Sequence, residues 1–248
     1  PVLNLNATNS ATFTMTCTNL KFAADNCGML NYGTLNVTDL SIVDSDAGPG
    51  NDDNCFVTNY AGGDVNIAND IDSKFAIFTF NNYSTADLLG EWLQISLGEV
   101  SLYNNAGATW YYEGAAATDD NDLYIYANFN ANTIEYGKLG DQDVLIPQDN
   151  LWNLILSGSG TKTTNGNLNL DNDLTISEAA SLDVNTGNDN ITLAGDWVNS
   201  SSTADAFLEG TETVLLDGTT NQVLTRMTGA TEESFYNLTV FKASGAVN

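Results

Sequence analysis

Short strings in which apolar and polar residues alternate follow one another along this chain, and this pattern limits what it can fold into. Alternation with a period of two is typical of a β-strand with one buried face. The clearest strings are Leu168–Leu170, Leu174–Ile176, 182–184 and Ile191–Leu193. Asn, Asp, Gly or Ser, which favour turns, separates each string from the next. Because helical periodicity is nearly absent, the chain is predicted to be all-β.

The spacing of these strings favours one of two all-β architectures. They begin at residues 168, 174, 182 and 191, so the steps are 6, 8 and 9 residues. Three such strands with their turns give a coil of roughly 20 residues, as in parallel β-helices and β-solenoids. Tandem β-sandwich modules are the alternative, because they also place a turn every ~10 residues. We favour the solenoid, with segment 84–92 as a candidate short helix.

A longer repeat is present in the second half of the chain. Three segments recur at an offset of 80 to 84 residues: 132–136, 142–145 and 151–156 have counterparts at 212–216, 221–224 and 235–240. This repeat divides the chain into two predicted regions. Residues 1–130 form a cysteine- and aromatic-containing β region, and residues 131–248 form a β-repeat region.

The second copy of the repeat stops at Asn248, in the middle of the pattern. An interrupted stack of strands exposes strand edges and an apolar cross-section. We therefore expect the ends to be continued, either by a longer polypeptide or head-to-tail by further subunits. The residues expected to form these assembly edges are Val2, Leu3, Leu5, Leu238, Val240 and Val247.

The C-terminal half resembles a known class of repeats. Residues 152–163, with 166–170 and 173–176, look like the repeats of very large secreted surface proteins of the Bacteroidota. Those proteins are similar to filamentous-haemagglutinin-type adhesins in their strand–turn rhythm. The resemblance implies export, surface attachment and an adhesive or filamentous role, and it brings no catalytic residues. The N-terminal half departs from the pattern.

The charge of the chain excludes several classes of partner. Lys and Arg number 6 against 32 Asp and Glu, which gives a net charge of −26, and His is absent. Nucleic acids need a basic surface, and an anionic membrane surface would repel this chain. No apolar run reaches the ~18 residues that a membrane-spanning helix needs. We therefore expect no nucleic-acid partner and no membrane insertion.

Three cysteines lie in the first quarter of the chain: Cys17, Cys27 and Cys55. In a secreted protein they predict one disulfide and one remaining thiol. Cys17–Cys27 is the nearest pair in sequence, Cys27–Cys55 is the alternative pair, and three buried thiols are the third option. A zinc site is disfavoured, because the chain has neither His nor a C-x-x-C pair.

The densest group of oxygen ligands predicts a candidate Ca²⁺ site. It lies in segment 44–54 and offers the carboxylates of Asp44, Asp46, Asp52 and Asp53. The spacing is not that of an EF-hand, and a solvated acidic loop is the alternative. Segments 119–122 and 171–173 are shorter acidic stretches, which we interpret as turns. No other cofactor is predicted.

The main enzymatic alternative is a β-helix hydrolase or lyase that acts on polysaccharides. A hydrolase needs paired carboxylates, but in so acidic a chain a pair such as those in 119–122 occurs by chance. A lyase on polyuronates needs cations, and Arg226 is the sole guanidinium. Without His, and without a G-x-S-x-G motif, a serine hydrolase is disfavoured too. We expect no enzymatic activity.

Two non-enzymatic functions remain. The first is an extracellular structural protein, a filament or surface-fibre subunit or segment that continues head-to-tail through the strand edges at its ends. The second is an adhesin module that binds surface glycans, for which the aromatic residues 110–112, Tyr124 and Tyr126 are a candidate stacking platform. Core packing is the alternative for these aromatic residues. Both functions place the protein outside the cell or at the cell surface.

Overall fold

A computed structural model describes most of the chain: residues 6–22, 27–43, 54–69, 71–74, 77–88, 94–96, 99–114, 123–127, 129–226 and 233–248. The chain divides into two compact units, Pro1–Tyr126 and Ala127–Asn248. Within the described ranges the secondary structure is all β, every paired strand is parallel to its neighbour, and no long apolar helix of the kind that crosses a membrane occurs. The predicted parallel β-solenoid is confirmed, and the tandem β-sandwich is wrong, because sandwiches are built from antiparallel sheets.

The N-terminal unit contains two parallel sheets. Its strands are β1 (Asn6–Asn9), β2 (Thr14–Phe22), β3 (Gly28–Asn31), β4 (Thr34–Val43), β5 (Asn54–Asn59), β6 (Asp64–Ile67), β7 (Ile71–Lys74), β8 (Ile77–Asn82), β9 (Thr85–Leu88), β10 (Gln94–Ser96), β11 (Glu99–Asn104), β12 (Thr109–Tyr112) and β13 (Leu123–Tyr126). Sheet A has the order β1-β3-β5-β8-β11-β13. Sheet B has the order β10-β7-β4-β6-β9-β12, with β2 beside β4. A chain that alternates between the two sheets in this way winds as a solenoid.

The C-terminal unit contains three parallel sheets. Its strands are β14 (Thr133–Tyr136), β15 (Gln142–Val144), β16 (Asn153–Leu156), β17 (Ser159–Thr164), β18 (Leu168–Leu170), β19 (Leu174–Ile176), β20 (Ala179–Asp183), β21 (Ile191–Leu193), β22 (Trp197–Asn199), β23 (Phe207–Leu208), β24 (Thr213–Leu216), β25 (Leu224–Thr225) and β26 (Asn237–Val240). Sheet C has the order β15-β17-β20-β23, sheet D the order β18-β21-β24-β26, and sheet E the order β14-β16-β19-β22-β25. The coils β16–β18, β19–β21 and β22–β24 each take one strand from each of the three sheets.

Inward-facing apolar side chains stack from coil to coil to form the core. Leu154 in β16 is opposite Leu174 in β19, which is opposite Trp197 in β22. All three side chains are buried. Because successive strand residues point to opposite faces, every second residue is placed inside, which is the alternation seen in the sequence. Burial of each such side chain contributes roughly 1.5–3 kcal/mol.

The candidate helix at 84–92 is wrong where the structure describes it. Residues 85–88 form β9, with Ala86 and Leu88 buried and Thr85 and Asp87 partly exposed. This strand pairs with β6 on one side and β12 on the other. Backbone pairing on both edges satisfies more donors and acceptors than one isolated helical turn. Residues 89–92 lie outside the described ranges.

The 80-residue offset of the sequence repeat does not match a whole number of coils. Its first copy begins in β14, a strand of sheet E, and its second copy begins in β24, a strand of sheet D. Equivalent residues of the two copies therefore lie on different faces of the solenoid. The repeat must therefore preserve a local structure at a corner of the coil, rather than a position on one face of the solenoid.

Candidate functional site

A row of buried asparagine side chains runs along the corner where each strand of sheet A ends. We call it the asparagine ladder; its members are Asn9, Asn31, Asn59, Asn82 and Asn104. The Nδ2 atom of each donates to the Oδ1 atom of the next, over 2.7, 2.8, 3.0 and 3.1 Å in chain order. The buried amides thus satisfy one another from coil to coil.

The direction of the ladder is fixed by the backbone. Each Nδ2 also donates to a carbonyl oxygen of the following coil: Asn9 to Thr34 at 3.0 Å, Asn31 to Asp64 at 3.0 Å, Asn59 to Thr85 at 2.8 Å and Asn82 to Thr109 at 3.0 Å. A carbonyl only accepts, so the amide nitrogen must face it. Donors therefore point toward the C-terminal coils and acceptors toward the N-terminal coils.

Glycine keeps the corner open for the ladder. A Cβ atom at Gly63 would lie 2.4 Å from Asn59 Oδ1 and 3.0 Å from Asn31 O. Any side chain there would displace the amide. Gly63 is therefore required by the buried asparagine side chain as well as by the turn.

The first rung of the ladder has an open acceptor. Asn9 is only 3% exposed, and its Oδ1 atom has no hydrogen-bond partner among the described residues. β1, which ends at Asn9, is the edge strand of sheet A. The neighbouring edge strand is β2, whose half-buried Met15, Cys17 and Leu20 are in register with the buried Leu35, Val37 and Leu40. Within the residues that the structure describes, β1 and β2 are thus edge strands with half-buried apolar side chains in β2 and one buried, unsatisfied oxygen at Asn9.

In the C-terminal unit, the last strand that the structure describes has an exposed apolar edge. Leu238 and Val240 of β26 are in register with the buried Val214 and Leu216. Their side chains nevertheless remain 42% and 53% exposed, and Phe241 beside them is also exposed. β26 is the edge strand of sheet D. We call this surface, with residues 236–241, the β26 end.

The last residues of the chain add a second strand edge to the β26 end. Val247 is bridged to Gln222, and Asn248 donates its backbone N–H to the Gln222 carbonyl at 2.9 Å. Val247 itself is half-buried. Among the predicted assembly residues, Leu238, Val240 and Val247 thus lie at this end, whereas Val2, Leu3 and Leu5 lie outside the described residues.

A buried lysine closes one corner of the C-terminal unit. The Lys162 side chain is fully buried, and its Nζ atom donates to Lys138 O at 2.7 Å, Gly140 O at 3.3 Å and Gln142 Oε1 at 3.2 Å. These three acceptors match the three N–H groups of an ammonium. The same Gln142 oxygen accepts from the Lys138 N–H at 3.3 Å.

The same arrangement, which we call the Gln–Lys clip, recurs in the second copy of the repeat. Lys242 Nζ donates to Gly218 O at 2.7 Å, to Thr220 O at 2.9 Å and to Gln222 Oε1. Gln222 Oε1 also accepts from the Gly218 N–H at 3.2 Å. The two clips use acceptors at the same positions relative to the glutamine, so the clip is a local feature that the 80-residue repeat preserves.

A cleft of about 620 Å³ lies beside β22 and β25. Its wall includes Trp197, Arg226, Glu233 and Phe235. The Glu233 carboxylate accepts from Trp197 Nε1 at 3.0 Å and from Asn199 Nδ2 at 2.8 Å. Burial raises the pKa of the Glu233 carboxyl above its usual value, although these two hydrogen bonds favour the ionised form. Among the residues that the structure describes, Glu233 is the carboxyl group in the cleft wall, and the charge of nearby Glu209 also raises its pKa.

The structure places the predicted ligand sites as follows. Asp44, Asp46, Asp52 and Asp53, the candidate Ca²⁺ ligands, lie outside the described residues, and so does segment 119–122. No metal-ligand cluster occurs within the ranges that the structure describes. Segment 171–173 is a turn between β18 and β19, in which Asp171 accepts from Asn150 Nδ2 and Asp173 from the Asp196 N–H.

The aromatic residues predicted as a stacking platform do not share one face. Trp110 and Tyr112 are buried in β12, and Tyr111 between them points outward. Tyr126 stacks on Tyr103 with 4.6 Å between ring centroids. Core packing therefore accounts for part of this group.

A different set of aromatic residues forms a continuous stack. Tyr32 and Tyr60 stack with ring centroids 4.4 Å apart, and Tyr60 and Tyr83 with centroids 6.0 Å apart. Each follows a ladder asparagine directly, so the dipeptide Asn-Tyr at 31–32, 59–60 and 82–83 is the sequence signal for both features.

The cysteines are distributed over neighbouring coils. The thiol sulfurs of Cys27 and Cys55 lie 2.8 Å apart and both residues are buried. Cys17 is in β2, opposite Val37. The structure therefore brings together the alternative pair, Cys27 and Cys55, rather than the pair nearest in sequence.

We expect mild oxidation, with a low-molecular-weight disulfide as oxidant, to join Cys27 to Cys55. Alkylation of the denatured oxidised chain should then label one cysteine, Cys17, and mass spectrometry should count it. The crosslink should raise the free energy of unfolding by ~3–4 kcal/mol, since it closes a long loop. The Cys17→Ser variant is the control and should take no label after oxidation. Labelling of all three thiols in the oxidised wild type would contradict the pairing.

Comparison of the chain with protein-family models, with curated proteins and with solved structures gives no significant match.

Proposed function

We propose that this chain is an extracellular structural protein, a subunit or segment of a filament or surface fibre that is continued at its ends. The proposal assigns it no catalytic role and places it at the cell surface. The observation that carries the proposal is the β26 end, where an edge strand presents apolar side chains, in register with buried ones, that no coil of the described residues covers.

The physical argument compares equivalent residues of the two repeat copies. Leu154 and Leu156 are fully buried in the first copy, because β19 pairs with their strand. Their counterparts Leu238 and Val240 are about half exposed in β26. One further coil on β26 would bury both side chains and pair the edge backbone, and it would remove the exposed edge that otherwise promotes non-specific pairing.

We expect the wild-type chain to self-associate as its concentration rises, and the double variant Leu238→Asp, Val240→Asp to remain monomeric. Two carboxylates on the end surface oppose its burial by another coil. Sedimentation velocity measures the association, and electron microscopy shows whether the products are linear.

The matched control is Leu139→Asp, which places a carboxylate on a side chain that is 83% exposed but lies away from the β26 end. This variant should associate like the wild type. A wild-type chain that stays monomeric at high concentration, or a double variant that still forms polymers, contradicts assembly through this end.

A glycan-binding adhesin module is the second candidate function, and the exposed edge of the tyrosine stack favours it. Tyr83 ends the stack and is 43% exposed. Aromatic rings of this kind pack against the apolar faces of sugars. An adhesin module of this kind would bind sugars while it remains a single chain, which is the opposite outcome of the association experiment.

A further inference from the structure

Two rings of the tyrosine stack lie face to face with their hydroxyl groups side by side. Tyr32 and Tyr60 follow β3 and β5, which are neighbouring strands of sheet A. Their ring planes differ by 3° and their centroids lie 4.4 Å apart. Loss of solvation and the neighbouring Tyr60 hydroxyl group raise the pKa of the Tyr32 hydroxyl group. The two hydroxyl groups therefore lie beside each other, and the ring carbons ortho to them, the Cε atoms, face one another.

A second pair of tyrosines in the same unit has this geometry. Tyr103 in β11 is in register with Tyr126 in β13. Their ring planes differ by 7° and their centroids lie 4.6 Å apart. Each of the two pairs thus brings a ring of one coil into contact with a ring of the next. Phenylalanine would stack as closely, so what tyrosine adds to these pairs is a phenol, which loses an electron and a proton far more readily.

The strand pair β3–β5 has a second oxidisable pair at its other end. Cys27 directly precedes β3, and Cys55 lies near the start of β5. Their sulfur atoms lie 2.8 Å apart. These two strands therefore have side chains that can be joined by oxidation both where the strands begin and where they end.

Phenols held face to face are suited to oxidative coupling. A haem peroxidase, which reduces hydrogen peroxide to water, takes one electron from each phenol, and each phenol loses its hydroxyl proton. The unpaired electron of the resulting phenoxyl radical is shared with the ortho carbons, in a π orbital that points along the normal of the ring. Two parallel rings in contact therefore overlap through the orbitals that form the new bond.

The new bond joins one Cε atom of each ring. Each of these carbons then loses its hydrogen as a proton, and a proton returns to each oxygen, so that both rings become aromatic again. Overall, two C–H bonds are broken and one C–C bond is formed. The two electrons and two protons that leave the tyrosines reduce one hydrogen peroxide to two waters.

We infer that Tyr32–Tyr60 and Tyr103–Tyr126 are sites of dityrosine cross-linking, at which a haem peroxidase with hydrogen peroxide joins neighbouring coils of the N-terminal unit. The inference goes beyond the proposed function, and it does not depend on assembly at the β26 end. A link at these positions holds two coils together through a covalent bond, where the unmodified chain has stacking and backbone hydrogen bonds.

The test treats the full chain at low concentration with a haem peroxidase and hydrogen peroxide. The peroxide is added in small steps until dityrosine fluorescence stops rising, so that reactive thiols are oxidised before they can quench the phenoxyl radicals. Digestion at acidic residues separates the two tyrosines of each pair, since Asp39 and Glu113 lie between them. Mass spectrometry then identifies linked peptides, which are lighter by two hydrogen atoms than the sum of their parts.

We expect links within the two stacked pairs to exceed all other tyrosine links by about tenfold or more, because stacked rings are already held in the reacting geometry. Tyr83 and Tyr236 are the controls, because they are 43% and 64% exposed. The Tyr83 ring centroid lies 6.0 Å from that of Tyr60, and Tyr236 belongs to the other unit. The variant Tyr32→Phe should abolish the first link and leave the second, and Tyr103→Phe should do the reverse.

Two results would overturn the inference. If links that involve Tyr83 or Tyr236 predominate, exposure rather than stacking selects the rings that react. If a pair forms no link under conditions that couple free N-acetyltyrosine, that pair is not a cross-linking site. Neither result alters the effect of Leu238→Asp and Val240→Asp on assembly, which tests the proposed function separately.

Discussion

Replacement of Asn59 by leucine should lower the free energy of unfolding by about 3 kcal/mol or more. Asn59 is fully buried in the middle of the ladder. It accepts from Asn31 Nδ2 at 2.8 Å and donates to Asn82 Oδ1 at 3.0 Å and Thr85 O at 2.8 Å. Leucine has the same number and branching of side-chain heavy atoms but satisfies none of these groups, and each buried unsatisfied group costs about 1–3 kcal/mol. Urea unfolding of the wild type and the variant measures the difference.

The matched control is Asn66→Leu, which removes another amide that links two coils. Asn66 Nδ2 donates to Asn36 Oδ1 at 2.9 Å, but this bond lies on the outer face of sheet B, where Asn66 is half-buried. Water replaces the lost partner there, so the change should stay within about 1 kcal/mol. If the two variants lose the same stability, burial of the ladder is not what makes its hydrogen bonds matter.

The alternation of apolar and polar residues predicted the strands, and the spacing of the strings favoured their parallel stacking. Leu168–Leu170, Leu174–Ile176 and Ile191–Leu193 are strands with the predicted inward residues. The same reasoning failed at 85–88, where a short segment could satisfy either period. Pairing with β6 on one edge and β12 on the other makes this segment a strand. A local sequence pattern contains no information about such distant neighbours.

The candidate sites were predictable to different degrees. Leu238 and Val240 follow from the repeat, because their counterparts in the first copy are followed by further strands. The hydrogen bonding of Asn9 could not be predicted from the sequence. The direction of a hydrogen-bond ladder depends on the tertiary structure, because carbonyls of the next coil set it. The Asn-Tyr dipeptides were visible in the sequence, but in a chain so rich in asparagine only the stacked coils distinguish a ladder residue from a turn residue.

The Gln–Lys clip explains why equivalent residues of the two repeat copies lie in different sheets of the solenoid. The clip needs a glutamine, two carbonyls shortly before it, and a lysine from the next coil, and all of these are set by one corner. A corner can occur between any two sheets. The sequence repeat thus corresponds to one corner structure together with the strands on either side of it.

Replacement of Lys162 by methionine should lower the free energy of unfolding by about 3 kcal/mol. Methionine fills similar space but donates nothing, so Lys138 O, Gly140 O and Gln142 Oε1 lose their shared donor inside the protein. The loss of these bonds is offset in part, because a buried ammonium no longer has to be desolvated. Gln142 Oε1 keeps the Lys138 N–H and Lys138 O keeps the Ser159 N–H, but the loss of three hydrogen bonds from a charged donor still outweighs that gain. Chemical unfolding monitored by tryptophan fluorescence measures the effect.

Lys242→Met provides the comparison within the same chain. Lys242 donates to the equivalent three acceptors, but its side chain is half-buried at the β26 end, so water can enter the space that the ammonium leaves. Its replacement should cost about 1 kcal/mol, because solvated acceptors keep a partner. A loss at Lys242 as large as that at Lys162 would mean that the clip stabilises its corner independently of burial. A negligible loss at Lys162 would mean that desolvation of the ammonium cancels the three hydrogen bonds, and that the repeat preserves the clip for a reason other than stability.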